Sequence, residues 1–309
     1  MWFRNLQIYQ LTESFELSAE GLHEALFEHQ FHPCRGLDTH RIGWTPPLGR
    51  YSDQLVHASN GKFMVCMRRE DRILPASVIR ETVQQKIDEI ESSESRHVGR
   101  KEKNEIRDQV IVDLIPRAFT RSTHLYAYID PENGFVTLDC ASANKAAELL
   151  GLIRESLGSF RLSPLRVTKA PAGVMTEWIK NVPPSDLQLG DECELKEPLE
   201  KGGVIRIRGV DLGSPEVQQH LISGKLVSKL SLEWQERISC VLVDDLSIKR
   251  LKFMELVMQE AASSDAEDFV TRFDADFALM SLQLARFIPA LCDHLGGIDP
   301  SHTATSADN

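Results

Sequence analysis

Residues 78–119 hold a single proline, Pro116, and are dominated by charge, with apolar side chains confined to two narrow stripes. Val83, Ile87 and Ile90 form the first, and Ile106, Val110, Ile111, Leu114 and Ile115 form the second. Spacings of three and four residues place each stripe on one side of a helix. A helix with so little apolar surface must bury it against a similar partner. The segment is therefore predicted to fold as an αα-hairpin broken within residues 92–99, bounded by Leu74-Pro75 and Pro116. Such a hairpin can project from the body of the protein as a finger.

The stretch from Arg96 to Arg121, at the centre and end of this segment, is basic. Arg96, Arg100, Lys101, Lys103 and Arg107 face Glu102 and Glu105, and Arg117 and Arg121 follow, although the chain of 309 residues carries a formal charge of −11. Acid concentrates at the other end: from Met254 to Asp299, Arg272 and Arg286 stand against nine carboxylates. Segregation of this kind suits a molecule that holds a polyanion on one surface and stays soluble through another.

Strand patterns surround the hairpin. Phe3 to Leu11 alternates apolar and polar residues. Ser18 is placed to cap a helix over residues 21–31 with Leu22, Ala25, Leu26 and His29 on one face. Gly43-Trp44-Thr45-Pro46-Pro47-Leu48-Gly49 is expected to be a rigid turn, and Asn60-Gly61 a hairpin turn. Two strands flank the turn Asp130 to Asn133, and a helix from Ala143 to Leu157 is capped by Ser142 and closed by Gly158. After a proline-rich stretch come Gly203 to Arg208, a helix from Pro215 to Ile222, and strands at 226–232, 238–243 and 247–253, the last two joined at Asp244-Asp245. A helix over residues 275–295 and a tail close the chain.

These patterns divide the chain into an N-terminal α+β part (1–75), the helical finger (76–120), a central α+β segment (121–185), a second α+β block with acidic C-terminal helices (186–297) and a disordered tail (298–309). The class is α+β: an elongated, multi-segment monomer with antiparallel sheets. The hydrophobic share of 42% is that of a globular protein, and no apolar run approaches the roughly 20 residues of a membrane span. The N-terminus lacks a leader's apolar stretch, so a cytoplasmic location is expected. Six isolated cysteines, at 34, 66, 140, 193, 240 and 292, read as buried thiols.

Several segments resemble the RdgC family of proteobacterial recombination-associated proteins: Trp2-Phe3-Arg4-Asn5-Leu6, Gly43-Trp44-Thr45-Pro46-Pro47, Pro116-Arg117-Ala118-Phe119 and Asp139-Cys140-Ala141-Ser142-Ala143. Further matches are Gly202 to Arg206, Gly224-Lys225-Leu226-Val227, Lys249 to Phe253 and Arg272 to Phe277. The resemblance runs in order from the first residue to about Gly297. It implies a ring-shaped homodimer that encircles double-stranded DNA without reading sequence, is associated with the nucleoid, and negatively regulates RecA-mediated recombination. It also implies roles for Arg96 and Lys225 in ring closure or DNA contact, and for Phe119 as an aromatic that packs into the partner subunit. The family pattern is more basic just after the strand that reads Arg208-Gly209-Val210 here.

Taken by themselves, the residues support phosphate contact through Arg96, Arg100, Lys101, Lys103, Arg117, Arg121, Lys225, Lys229, Arg250 and Lys252, with Arg206 and Arg208 beside them. Arg107 and Lys249 read as solvated cations. One rival is a metal-dependent nuclease built on Asp244-Asp245 and Asp274/Asp276. Those pairs suit a turn and a helix start respectively, so no catalytic residue is assigned. His29, His32 and Cys34 lack the second ligand pair of a zinc site, no phosphate-binding G-x-x-x-x-G-K-[ST] loop occurs, and no cofactor is expected. The remaining rival is a scaffold that binds recombinase rather than DNA.

Overall fold

The computed structural model describes residues 1–199, 202–262 and 268–300. In chain order the first elements are β1 (Leu6–Leu11), α1 (Ala19–Phe27), β2 (His40–Thr45), β3 (Val56–Ser59), β4 (Lys62–Ile73), α2 (Ala76–Glu94), α3 (Arg100–Leu114), β5 (Phe119–Asp130), β6 (Phe135–Asp139) and α4 (Ala143–Leu157). Then follow β7 (Leu162–Pro164), α5 (Pro171–Lys180), β8 (Leu187–Lys196), β9 (Val204–Arg208), α6 (Pro215–Ile222), β10 (Leu226–Trp234), β11 (Ile238–Val243), β12 (Ile248–Phe253), α7 (Glu255–Ala262) and α8 (Phe269–His294).

Among the described residues the strands join into one sheet, not several, in the order β2-β4-β5-β6-β1-β12-β11-β10-β8-β9, with β3 on β4 and β7 on β1. The ladders are antiparallel, and β1 carries the N-terminal residues between β6 and β12. Both faces of the β2-to-β1 half are covered. On one, Leu22, Leu26 and the α4 residues Leu149, Leu150 and Ile153 bury Val65, Ala127, Val136 and Leu138. On the other, α8 lays Phe277, Met280, Leu284 and Phe287 against Leu6, Met64 and Tyr128, and this second core continues under α5 and α6 to Leu195, Leu230 and Leu242. The core beneath α1 and α4 takes no residue of β8–β12 among the described residues. Half of one sheet face is thus left without a helix.

Local chemistry explains most element ends. The Ser18 hydroxyl accepts the Gly21 N–H at 3.1 Å and Asp268 accepts the Val270 and Thr271 N–H groups, capping α1 and α8. Asn60 and Gly61 both have positive φ, 49° and 72°, as the mirror-image hairpin turn demands. The αα-hairpin forms with its break at Ser95, which is left-handed at φ 52°. The main packing of α2 is with α3, whose end meets the 3₁₀ turn Ile115–Arg117.

Four expectations need correction. Gly43 and Trp44 belong to β2 rather than a turn: a Cβ on Gly43 would lie 2.5 Å from the Phe31 Cα, so close approach of two backbones requires the glycine. Trp44 is fully buried and donates its indole N–H to the Ser156 hydroxyl at 2.8 Å. The first helix ends at Phe27, which leaves His29 outside it, facing Glu155 at 3.9 Å. Phe119, expected within the helical finger, begins β5 opposite Ile73. Finally, α8 has the length and apolar composition to cross a membrane, although half of that stretch is buried in the core. Five cysteines are buried and Cys34 is half-buried. The expected disordered tail begins in ordered structure, Ile298 bridging to Val167 and the Asp299 N–H donating to the Arg166 carbonyl, and residues 301–309 lie outside the described residues.

Candidate nucleic-acid interface

Strand register decides which cations share a face. Lys249 lies opposite Val241, Lys229 opposite Val243 and Glu194, Glu194 opposite Arg206, and Glu192 opposite Arg208. The intervening residues Cys193, Leu195, Leu230, Leu242 and Ile248 are buried against the helices on the other side. Side-chain alternation therefore turns the polar set onto the helix-free half-face. There Arg206, Arg208, Lys229, Lys249 and Arg250 line a cavity of about 350 Å³ with Asn5, Glu192 and Glu194. Five cations against two carboxylates leave a net of three positive charges.

Arg250 reaches this cavity through a bulge. The β11–β12 register slips between Ser239 and Val241, and Arg250 adopts φ 51°, rare for a residue with a side chain. Its N–H donates to Asn5 Oδ1 at 3.3 Å and its Nη2 lies 2.7 Å from Glu192 Oε2. The bulge also keeps Lys249 and Lys252 on one side while Leu251 and Phe253 stay buried.

The carboxylates are heavily engaged. Glu194 accepts from Lys229 Nζ at 2.8 Å with each oxygen, from Arg206 Nε at 2.9 Å and from the Ser228 hydroxyl at 3.0 Å. Burial alone would raise its pKa, but these hydrogen bonds outweigh burial and hold it at about 2. Glu192 lies 3.3 Å from Arg208 Nε, and its pKa is likewise lowered because Arg250 and Arg208 overcome the effect of burial.

Asn5 also borders a second depression at the start of α4, lined by Arg69, His124, Asp139, Lys145 and Glu148. Arg69 is tied to Asp71 and Glu148, so the positive density lies mainly on the β8–β12 side. From Arg69 on β4 to Arg208 on β9 there are eight strand steps. At about 4.8 Å each they span about 38 Å, close to one turn of duplex DNA, about 34–36 Å.

The other predicted cations fall elsewhere. At the α2–α3 turn, Arg96 sits between Glu94 at 2.5 Å and Glu102 at 2.5 and 2.7 Å, contacts that raise its already high pKa. Lys101 lies 4.0 Å from Glu105, whereas Arg100, Lys103 and Arg107 have no ion pair among the described residues. Three cations in or near the first turn of α3 oppose the helix dipole, so helix stability does not account for them. Arg117 and Arg121 are exposed where the hairpin meets β5, with Arg121 opposite Asp71. Lys225 is mostly buried and lies 3.6 Å from Glu197 and 3.2 Å from the Ser223 hydroxyl. Lys252 is exposed on the open face outside the cavity. Phe119 is 86% exposed.

A model of the RdgC family, described as "Putative exonuclease, RdgC", matches residues 1–298. The chain belongs to the RdgC family. It is similar to the recombination-associated protein RdgC of Tolumonas auensis, 42% identical over 298 residues covering 96% of this chain and 99% of that one. The proteins of the same name from Pseudomonas aeruginosa and Salmonella paratyphi B are 44% and 43% identical, each across 96% of this chain and 98% of their own.

The family description names an exonuclease, which directs attention to the carboxylates. Asp274 lies 3.1 Å from His57, and Asp276 lies 2.7 Å from the N-terminal ammonium. Asp245 accepts from the Ser247 N–H and hydroxyl, and Asp244 has a raised pKa through burial and the neighbouring Asp245. Among the described residues no group of three or more His, Cys, Asp or Glu is placed to hold a metal ion. Sequence reasoning missed the two carboxylates that are engaged on the open face, because β8 itself was missed. Its signal was present in the alternation of Leu187, Leu189, Cys193 and Leu195.

Proposed function

We propose that this chain is a sequence-independent double-stranded DNA-binding protein that acts as a ring-shaped homodimer, encircling DNA and limiting RecA-mediated recombination. The observation that carries the reading is the helix-free half-face with its net positive cavity in a chain of charge −11. Its cations stand on strands, spaced along the sheet, which suits a phosphate path rather than groove reading. The names of the relatives, recombination-associated proteins, point to the same process. In this reading the α2–α3 hairpin is a finger carrying Arg96, Arg100, Lys101 and Lys103 to the duplex. Phe119, beside it, anchors the second copy, and the acidic C-terminal helices face outward. The protein then resides in the cytoplasm on the nucleoid.

Duplex binding without sequence preference should weaken steeply with salt, because neutralised phosphates release counterions. Retention of random-sequence duplex by the purified protein, measured from about 50 to 300 mM salt, tests this directly. A flat salt response or no retention overturns the reading. Slower loss of protein from closed circular than from linear DNA tests encirclement. Mg²⁺-dependent shortening of linear duplex would favour the exonuclease named in the family description instead.

A further inference from the structure

Glu192 and Glu194 occupy the place in the cationic cavity that a phosphate would take. Each projects from β8 onto the open face and each bridges cations from two other strands: Glu192 joins Arg208 of β9 to Arg250 of β12, and Glu194 joins Arg206 of β9 to Lys229 of β10. A carboxylate that accepts from a guanidinium and an ammonium uses the donors that a phosphate oxygen would use. The pairs that Glu194 and Glu192 make with Arg206 and Arg208, which are 71% and 70% exposed, contribute little to stability. Solubility does not call for the two carboxylates either, since the chain is already strongly acidic. Glu194 keeps its charge across the physiological range because its donors hold it ionised.

We propose that Glu192 and Glu194 are internal competitors of DNA phosphate, which occupy four of the cavity's cations and keep the grip on duplex weak enough to move along it. The inference rests on the DNA-binding reading. Incoming phosphate must draw Arg206, Arg208, Lys229 and Arg250 away from a carboxylate that stays beside them. Each phosphate contact is therefore made against a fixed negative charge. Removing one carboxylate frees cations already positioned on the sheet.

The test is fluorescence anisotropy of the full chain with a random-sequence duplex over a salt series, comparing wild type, Glu194→Gln, Glu192→Gln and the exposed control Glu216→Gln on α6. One additional neutralised phosphate steepens the slope of log K against log salt by about 0.9 and tightens binding about eightfold at 0.1 M salt. That is the expected result for either cavity variant, with Glu216→Gln unchanged. If the carboxylates only hold the cations in place, both variants bind more weakly with a shallower slope, and the proposal fails. Equal binding by all four proteins also overturns it, while salt-sensitive retention by wild type would leave the DNA reading intact. No retention by wild type removes both. Since Glu194 is largely buried, Glu192→Gln, at a more exposed site, decides the question should Glu194→Gln misfold.

Discussion

Phe119 is the sharpest place to separate folding from assembly. In the isolated chain its ring is 86% exposed, at the first position of β5 across from Ile73, itself 43% exposed. Val78 of α2 and Val112 of α3 are exposed on the same hairpin. Replacing an exposed side chain at a strand end changes fold stability little; loss of the cross-strand contact with Ile73 costs about 0.5 kcal/mol. Docking into a second copy is different. A phenylalanine ring presents about 150 Å². Burying the exposed part of it at about 25 cal/mol per Å² contributes about 3 kcal/mol. Phe119→Ala should then raise the dimer dissociation constant by about a hundredfold, and by more if a twofold axis places both copies of Phe119 in contacts. Sedimentation velocity over a dilution series measures the association, and a thermal melt of the same samples under monomeric conditions measures the fold. Self-association within about threefold of wild type would refute the reasoning. So would a fall in the monomer midpoint of more than about 4 °C, which would make Phe119 a core residue.

Other outcomes follow from the fold and its charges. Gly43→Ala should destabilise the protein by about 2 kcal/mol in urea unfolding, since its Cβ meets the Phe31 backbone and not a movable side-chain end. Glu194 has a folded pKa of about 2, below its unfolded value, so its contribution to stability is present above about pH 4.5 and is lost as pH falls towards 2. Urea midpoints across that range should fall less for Glu194→Gln than for wild type. His57 has a lowered pKa because burial outweighs the opposing effect of Asp274. The unfolded chain therefore takes up the proton first as pH drops below about 6.5, and stability falls. His57→Gln should reduce the loss of stability between about pH 7.5 and 5.5, and an unchanged loss would rule out that role for His57.

Legibility in the sequence followed the range of the interactions involved. Helix α4 was readable end to end because its signals are local: Ser142 caps it, Gly158 at φ 71° stops it, and a regular stripe lies between. The β3–β4 turn at Asn60-Gly61 and the strand β11 were legible for the same reason. Gly43 was misread because a glycine required by a distant backbone looks, in sequence, like a glycine required by a turn. The single sheet was hidden because β1 joins two blocks separated by more than a hundred residues, a pairing that no local pattern specifies. The open half-face was partly visible: Lys229 and Arg250 stand out as cations in the sequence. Lys249 reads there as a solvated cation, because no local pattern shows that Arg206 and Arg208 of β9 share its face across β8, β10 and β11.

That arrangement bears on how an acidic chain could hold DNA at all. Scattered evenly over the surface, 35 basic residues among 46 acidic ones would repel a polyanion wherever it came within a screening length, about 10 Å at 0.1 M salt. On the sheet, alternation puts cations of β9, β10 and β12 on one side and apolar residues on the other. A duplex lying within a screening length of the open face responds to local charge more than to the total. The same net charge then disfavours binding at any other surface, so the repulsion that argues against DNA binding in bulk becomes a means of directing DNA to one face.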